Sequence, residues 1–326
     1  MSKKIIGIGN AIVDLLCTVD DDFLKTHDLF KGSMSLIDEK MAEKLSRLIP
    51  KQITCGGSVG NTIAALAQLN NNCDFIGKVA NDNFGKKYIE EIEKTSTKFV
   101  SKNYSSDISA QSFVLITPDA QRTMCTFLGC ASKILENDIN EENFKNASIL
   151  YLEGYLWDQP STILALKKAI KLAKINNVKI AFSLSDAFCV SRHHEDFLQL
   201  IENDLDILFA NEAEITTLLK QDFSLTNLND FFSKNEKLIA AITRSEKGCV
   251  IFNNKNHLAL NAEKIIKLID TTGAGDAFAA GFLHGLVNNL SLEKSAHFGN
   301  ILASKIIQKI GARFENKDLI SLQKHP

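Results

Sequence analysis

Short apolar runs alternate along the chain with stretches in which apolar residues recur every three or four positions. The short runs predict strands at residues 4–8, 73–79, 149–152, 178–184, 205–210 and 238–243. The three-and-four spacing predicts helices at 58–69, about 212–219, 275–287 and 292–308, with another around 163–173. This alternation favours an α/β fold with a mostly parallel central sheet covered by helices on both faces.

Two stretches, at approximately 11–40 and 98–128, interrupt this alternation. In the second, residues 111–117 and 122–128 resemble two strands around a turn at 118–121. Neither strand is followed by a helical pattern, so both stretches are predicted to form a small β-element that projects from the sheet. The chain contains no repeat, low-complexity tract or Pro- or Ser-rich linker. We therefore expect one main domain over residues 1–326 with two insertions.

Composition narrows the functional classes. The net charge of -2, from 37 basic and 39 acidic side chains, offers no basic excess for holding a nucleic acid. The seven cysteines include no CxxC pair, which favours a reducing compartment over a disulfide framework or a zinc site. No signal-peptide core and no run of about 18 apolar residues is present. The expected location is the cytoplasm, with no membrane and no nucleic acid as partner.

The strongest chemical signal is the glycine-rich segment 270–278, which follows an apolar stretch and opens a predicted helix. Glycines at a helix start let backbone N–H groups approach an anion, and the helix dipole adds positive potential. Asp276 falls in the first turn, where its carboxylate could accept a proton from an attacking hydroxyl. The alternative is an ordinary glycine turn with an acidic residue at a helix start.

Other polar positions suit the same chemistry. Asp14 and Asn61 place polar groups on an otherwise apolar strand and helix, as binding of vicinal hydroxyls requires; the alternative is a loop acid and a surface amide. Asn211 and Glu214 share one helix face just beyond a strand, which suits a hydrated Mg²⁺ or, alternatively, a simple helix cap. Arg122 could neutralise phosphate charge or be a solvated hairpin residue.

These motifs resemble the PfkB, or ribokinase-like, family of carbohydrate and nucleoside kinases. Segment 270–278 nearly completes the family signature D-T-x-G-A-G-D-x-F, and segments 7–14, 56–61, 77–85 and 211–214 are similar to other family motifs. The resemblance covers most of the chain. It implies a ribokinase-like three-layer α/β/α fold with a small β-lid, and the use of ATP and Mg²⁺. Some relatives also bind K⁺, near positions matching Asp270, Thr272 and the loop around Gly311.

The resemblance also implies residue roles. Asp276 matches the catalytic base, and Arg122 matches a lid arginine near the transferred phosphate. Gly273 belongs to the same glycine-rich anion hole, in which the backbone amides of Ala274, Gly275 and Asp276 would stabilise phosphoryl charge. The substrate positions it implies are Asn10, Ile12, Asp14, Gly57, Ser58 and Asn61. The ATP positions are Asn211, Thr243, Gly248, Asp270, Thr272, Gly273, Gly275 and Asn300, while Glu214 and Asn211 would hold Mg²⁺ through water. Ser245 departs from the pattern, because relatives often carry glycine there.

Residues 9–29 are most similar to adenosine kinase-like members. In those members a side chain packs against the purine, and Tyr155, Leu156 and Trp157 lie where that contact falls; the alternative is that Trp157 packs a loop. The resemblance thus implies γ-phosphate transfer from ATP to the 5′-hydroxyl of adenosine or a related ribonucleoside. A sugar kinase of the ribokinase or fructokinase type and a non-catalytic nucleoside or sugar sensor are alternatives. Relatives include monomers and dimers, so both states stay open.

Overall fold

The computed structural model describes residues 3–101, 106–119, 121–320 and 322. Its strands are β1 (Lys4–Ile8), β2 (Ile12–Thr18), β3 (Met34–Leu36), β4 (Gln52–Cys55), β5 (Asn72–Ile76), β6 (Lys98–Phe99), β7 (Ala110–Ile116), β8 (Arg122–Phe127), β9 (Ala147–Glu153), β10 (Lys179–Ser183), β11 (Ile207–Asn211), β12 (Ile239–Thr243), β13 (Cys249–Asn253) and β14 (Asn256–Leu260). Its α-helices are α1 (Asp21–Thr26), α2 (Glu39–Leu45), α3 (Ser58–Gln68), α4 (Asn83–Glu93), α5 (Pro160–Ile175), α6 (Ala187–Arg192), α7 (His194–Asn203), α8 (Glu212–Leu219), α9 (Leu225–Phe232), α10 (Ala274–Val287), α11 (Leu292–Ile306) and α12 (Asn316–Leu319).

Within the described residues, nine strands form the central sheet, in the order β14-β13-β12-β11-β10-β9-β1-β5-β6. The pairs from β12 through β6 are parallel, whereas β12–β13 and β13–β14 are antiparallel. Alternate residues of β1 enter different cores: Ile5 packs with residues of α3, α10 and α11, whereas Ile6 and Ile8 pack with residues of α5, α7 and α8. This alternation, which follows from the two-residue period of a strand, produces the predicted three-layer α/β/α arrangement.

A second sheet, with five strands in the described part of the chain, has the order β3-β8-β7-β2-β4. Its own apolar core includes Leu15, Leu45 and Phe113, with contributions from α1 and α2. The predicted insertions supply β2, β3, β7 and β8, but β4 lies outside them and β6 joins the central sheet instead. Residues 102–105 and 120 of the predicted insertion lie outside the described residues. We call this second sheet the lid sheet.

Element boundaries differ from the sequence prediction where a turn or a buried run hides them. Strand β1 and helix α8 have the predicted bounds, whereas the hairpin of β13 and β14 was not predicted. Strand β13 is a continuous buried run without alternation, and such a short run does not distinguish strand from helix. Among the described residues, none of the helices has the length and apolar character needed to cross a membrane.

Candidate active site

The N-terminus of α10 has open backbone donors that are suited to an anion, and we call it the anion-binding position. Gly273 precedes the helix at φ 78°, a left-handed conformation that glycine adopts without strain. The N–H groups of Gly275 and Asp276 have no hydrogen-bond partner among the described residues, whereas Ala274 N–H donates to Thr271 O at 3.2 Å. A Cβ built on Gly275 would meet nothing within 4 Å. Two free donors and the helix dipole therefore face space that a phosphoryl group could occupy.

The carboxylate of Asp276 is held between α10 and α3. Ser58 Oγ donates to Oδ1 at 2.6 Å, and Asn61 Nδ2 donates to Oδ2 at 2.9 Å. Burial raises the pKa of Asp276 to about 6, while the bonds from Ser58 and Asn61 and the positive charge of Arg313 lower it. The carboxylate is thus largely ionised at neutral pH and can accept a proton.

Glu153, at the end of β9, binds both the loop after β1 and the first turn of α3. It is 0% exposed and accepts three bonds: from Asn10 N and Asn10 Nδ2, both at 2.9 Å, and from Val59 N at 2.8 Å. Asn10 Oδ1 is buried and has no partner in the described part of the chain. A Cβ on Gly57, which has φ 85°, would lie 2.0 Å from Asn10 O, so the loop and the turn pack too closely for any other residue.

Asp14 lies on lid strand β2, next to the turn that starts α3. A Cβ on Gly56 would approach Asp14 Oδ2 to 2.4 Å, and Gly56 N donates to Ile12 O at 2.8 Å. Burial raises the pKa of Asp14 to about 7, and the charge of Arg313 partly opposes this. The structure therefore brings Asn10, Ile12, Asp14, Gly57, Ser58, Asn61 and Asp276 to one site.

An ion pair joins the lid sheet to the glycine-rich segment. Arg122 Nη1, on β8, lies 2.5 Å from Asp270 Oδ2. Asp270 also accepts from Thr272 N and Oγ1, at 3.1 and 2.7 Å, and from Gly311 N at 2.8 Å. Burial tends to raise the pKa of Asp270, but these bonds and the Arg122 charge outweigh it and lower the pKa. With its carboxylate so occupied, Asp270 does not fit a K⁺ ion in this structure.

Asn211 and Glu214 form a reciprocal helix cap at the start of α8. Glu214 N donates to Asn211 Oδ1 at 2.8 Å, while Asn211 N and Nδ2 donate to the Glu214 carboxylate at 2.9 and 2.6 Å. Burial raises the pKa of Glu214 to about 7, and the charges of Asp186 and Asp276 add to this. No group of three or more His, Cys, Asp or Glu side chains suited to a metal exists among the described residues. The pair fits a Mg²⁺ bound mainly by phosphates and water.

The other predicted ATP positions lie on β12 and on the turns and helix around it. Thr243 Oγ1 is 3.4 Å from Ala210 O, and Arg244 N donates to Gly248 O at 2.7 Å. Ser245, which replaces the expected glycine, has φ 51°, so this turn keeps a glycine-like backbone without the glycine. The Asn300 side chain is buried and donates to Asn261 O at 3.0 Å, so this amide group is already occupied.

The three side chains predicted to contact a purine differ in how exposed they are. Tyr155 is half-buried, and its hydroxyl donates to Ser185 O at 3.3 Å. Leu156 and Trp157 are each 2% exposed and belong to the core, where Trp157 packs edge-on against Phe182 and Phe197. In this structure both side chains therefore lie in the core and present no surface to a purine, which favours the alternative that Trp157 has a packing role.

Two charged residues of the site were missed by sequence reasoning. Arg313, after α11, donates to Asn61 Oδ1 and to Gly56 O, both at 3.1 Å. Glu153 is the other. The only sequence signal for Glu153 is an acid at the end of a buried strand, and the only signal for Arg313 is a lone arginine after Gly311. Neither signal is specific, because charged residues often follow regular elements.

Several known proteins that are similar to this chain are kinases. The model for the pfkB family carbohydrate kinases matches residues 35–319. Adenosine kinase from Saccharomyces cerevisiae is 24% identical over 98% of this chain and 99% of its own. The crystal structure of adenosine kinase from Sinorhizobium meliloti is 33% identical, with a TM-score of 0.91 over 100% of both chains. A probable sugar kinase from Rhizobium etli is 35% identical, with a TM-score of 0.90 over 99% of both chains.

Proposed function

Because the chain belongs to the pfkB family of carbohydrate kinases, we propose that it transfers the γ-phosphate of ATP to the 5′-hydroxyl of adenosine or a related ribonucleoside. The observation that carries the proposal is the position of Asp276. Its carboxylate lies in the first turn of α10, beside the free N–H groups of the anion-binding position. The same carboxylate is held by Ser58 and Asn61 of α3, on the acceptor side. A hydroxyl bound there could lose its proton as the phosphoryl group arrives.

In this mechanism Asp276 takes the proton of the acceptor hydroxyl. The N–H groups of Gly275 and Asp276 donate to the phosphoryl oxygens, on which negative charge remains in the transition state. Gly273 makes the tight turn that positions these donors. The Ala274 N–H donates to Thr271 O and so stabilises this turn. Glu214 and Asn211 would hold the waters of a Mg²⁺, which supplies further neutralisation of phosphate charge.

The acceptor would be held by groups that accept hydrogen bonds. Asn10 Oδ1, which has no partner among the described residues, and the Asp14 carboxylate are suited to sugar hydroxyls. Ser58 and Asn61 already bind the Asp276 carboxylate. They would border the acceptor, as would Ile12 and Gly57. The nucleotide would lie along Asn211, Thr243, Gly248, Asp270, Thr272 and Asn300.

Arg122 would act from the lid sheet. In this structure it pairs with Asp270, so contact with the transferred phosphate requires the guanidinium to leave that carboxylate or to bridge both. The lid sheet would then exclude water from the reacting groups. Tyr155 is the one predicted base contact whose side chain is not in the core.

The choice of a nucleoside is supported by the adenosine kinases from yeast and from Sinorhizobium meliloti among the similar proteins. A sugar kinase is the second candidate, because the probable sugar kinase from Rhizobium etli is similar over the same length. Both candidates use the same base and the same anion-binding position. They differ in whether a purine is bound beside the ribose.

The test is ATP consumption with adenosine, inosine, guanosine, ribose and fructose as acceptors. We expect adenosine, or another nucleoside, to give the highest kcat/KM; a preference for ribose or fructose would favour the sugar kinase. Asp276→Asn should lower kcat by about 10²–10⁴-fold or more, with acceptor affinity by calorimetry changed only a few-fold. The matched control is Asp222→Asn, on an exposed residue. The proposal would be contradicted if none of these acceptors led to ATP consumption, or if Asp276→Asn kept normal turnover.

A further inference from the structure

The segment 311–313 contacts both the anion-binding position and the residues that hold Asp276. Gly311 N donates to Asp270 Oδ2 at 2.8 Å. A Cβ on Gly273 would lie 2.6 Å from the Cβ of Ala312, so the two backbones are in close contact. The next residue, Arg313, extends to the acceptor side and reaches α3. This short segment thus connects the anion-binding position with the residues that hold the base.

The guanidinium of Arg313 is bound on several sides. Nε donates to Asn61 Oδ1 at 3.1 Å, and Nη2 donates to Gly56 O at 3.1 Å and to the Tyr88 hydroxyl at 3.3 Å. The guanidinium carbon also lies 5.3 Å from the centre of the Tyr88 ring, in cation–π geometry. The planar fork is therefore fixed in one orientation, which a flexible ammonium could not reproduce.

The bond to Asn61 decides which way its side-chain amide faces. A guanidinium carries only donors, so it can bind Asn61 only through Oδ1. The NH₂ group must then face the other way, where it donates to Asp276 Oδ2 at 2.9 Å. With the amide reversed, its oxygen would face the carboxylate while its NH₂ group faced the guanidinium. Both contacts would then be repulsive.

We infer that Arg313 is a positioning residue for the phosphoryl transfer, which acts by fixing the Asn61 amide so that its NH₂ group holds the Asp276 carboxylate. Arg313 touches no reacting atom in this arrangement. Its Nη1 is buried and makes no hydrogen bond within the described residues, so the residue acts through Asn61 and through the turn at Gly56. The inference rests on the proposed function only where turnover is measured.

The charge of Arg313 has a second effect on the same carboxylate. Within the described residues, the other titratable groups whose charges interact with that of Asp276 are Glu153 and Tyr151 of β9 and Glu214 of α8. Negative charge on any of these opposes ionisation of Asp276. Arg313 is the cation whose field lowers the Asp276 pKa, so its removal should shift the titration to higher pH.

The first test does not need turnover. In protein carrying ¹³C at the aspartate carboxyl carbon, the Asp276 signal is assigned by its loss in Asp276→Asn and is followed against pH. We expect Arg313→Met to raise its titration midpoint by about half a pH unit or more. Arg313→Lys, which keeps the charge, should raise it less, and Arg47→Met, on an exposed arginine, should leave it unchanged. A midpoint in Arg313→Met equal to that of the native protein would overturn the inference.

The second test separates positioning from a merely structural role. With the best acceptor, Arg313→Met and Arg313→Lys should each lower kcat by about tenfold or more. Because Arg313 acts through Asn61, adding Arg313→Met to Asn61→Ala should cost much less than it does in the native background. Fully multiplicative losses, or native kcat in Arg313→Lys, would overturn the inference. If Arg313→Met does not fold, Arg313→Lys decides alone. A lower kcat at an unchanged melting temperature would support the inference, and native kcat would overturn it.

The two tests distinguish failure of this inference from failure of the proposed function. A native protein that consumes ATP with none of the acceptors would refute the proposed function, while the carboxyl titration would still decide the role of Arg313. Conversely, an active native protein whose Arg313 variants keep the native titration and kcat would refute only the inference.

Discussion

Removing the Ser58 hydroxyl should weaken the base at neutral pH. Ser58 Oγ donates to Asp276 Oδ1 at 2.6 Å, and this bond is the largest of the effects that lower the Asp276 pKa against burial. Ser58→Ala removes one oxygen from the first residue of α3 and leaves the helix backbone and the Asn61 bond in place. The perturbation is therefore confined to the protonation equilibrium and orientation of one carboxylate.

The size of the effect follows from the strength of a hydrogen bond to a charged group, about 1.5–3 kcal/mol. Since one pKa unit corresponds to about 1.4 kcal/mol, loss of the bond should raise the Asp276 pKa by about 1–2 units. The native pKa is about 6. The ionised fraction at pH 7 should then fall from about nine-tenths to between about one-half and one-tenth.

The assay is the pH dependence of kcat/KM for ATP consumption, which reports the pKa of the base in the free enzyme. The acid limb of the Ser58→Ala profile should move up by about one pH unit or more, and activity should recover at high pH. The matched control is Thr62→Val, which removes a hydroxyl that donates to the Asp276 backbone oxygen at 3.1 Å and not to its carboxylate. An acid limb that stays in place for Ser58→Ala, or moves equally for Thr62→Val, would refute this reasoning.

Three further predictions concern stability. Glu153→Gln should lower the free energy of unfolding by about 1–3 kcal/mol in urea, because the new NH₂ group faces the Val59 or Asn10 donors; exposed Glu142→Gln is the control, and equal midpoints would contradict this. Trp157→Ala should cost about 3–5 kcal/mol with acceptor KM nearly unchanged, since the side chain is core; a large KM increase without instability would count against it. Burial raises the Asp14 pKa to about 7, above its unfolded value. The stability that protonated Asp14 contributes is therefore present at low pH and is lost as pH rises through about 7. The native chain should therefore lose more unfolding free energy between pH 5 and 8 than Asp14→Asn does, and equal losses would disprove it.

The chain's local patterns were sufficient to predict the fold class and to place Asp276 at the start of a helix. Strand β1 was predicted within its bounds as a short apolar run, and helix α8 was predicted because its apolar residues recur every three or four positions. The position of Asp276 at a helix start was also readable, since a glycine-rich turn after an apolar run is a local signal. The predicted fold class is confirmed by the related structures and by the family match.

Contacts between distant segments were decided only by the tertiary structure. Asn61 and Asp276 lie 215 positions apart, and Arg313 and Asn61 lie 252 apart, so no periodicity connects them. Trp157 shows the same limit, because its residue type and position suited either a ligand contact or the core. Periodicity along a chain records which face of an element is buried, but the partner that buries it is set by how the elements pack. That is why Asp276, the proposed base, could be placed at a helix start from the sequence, whereas its connection through Asn61 to Arg313 could not be predicted.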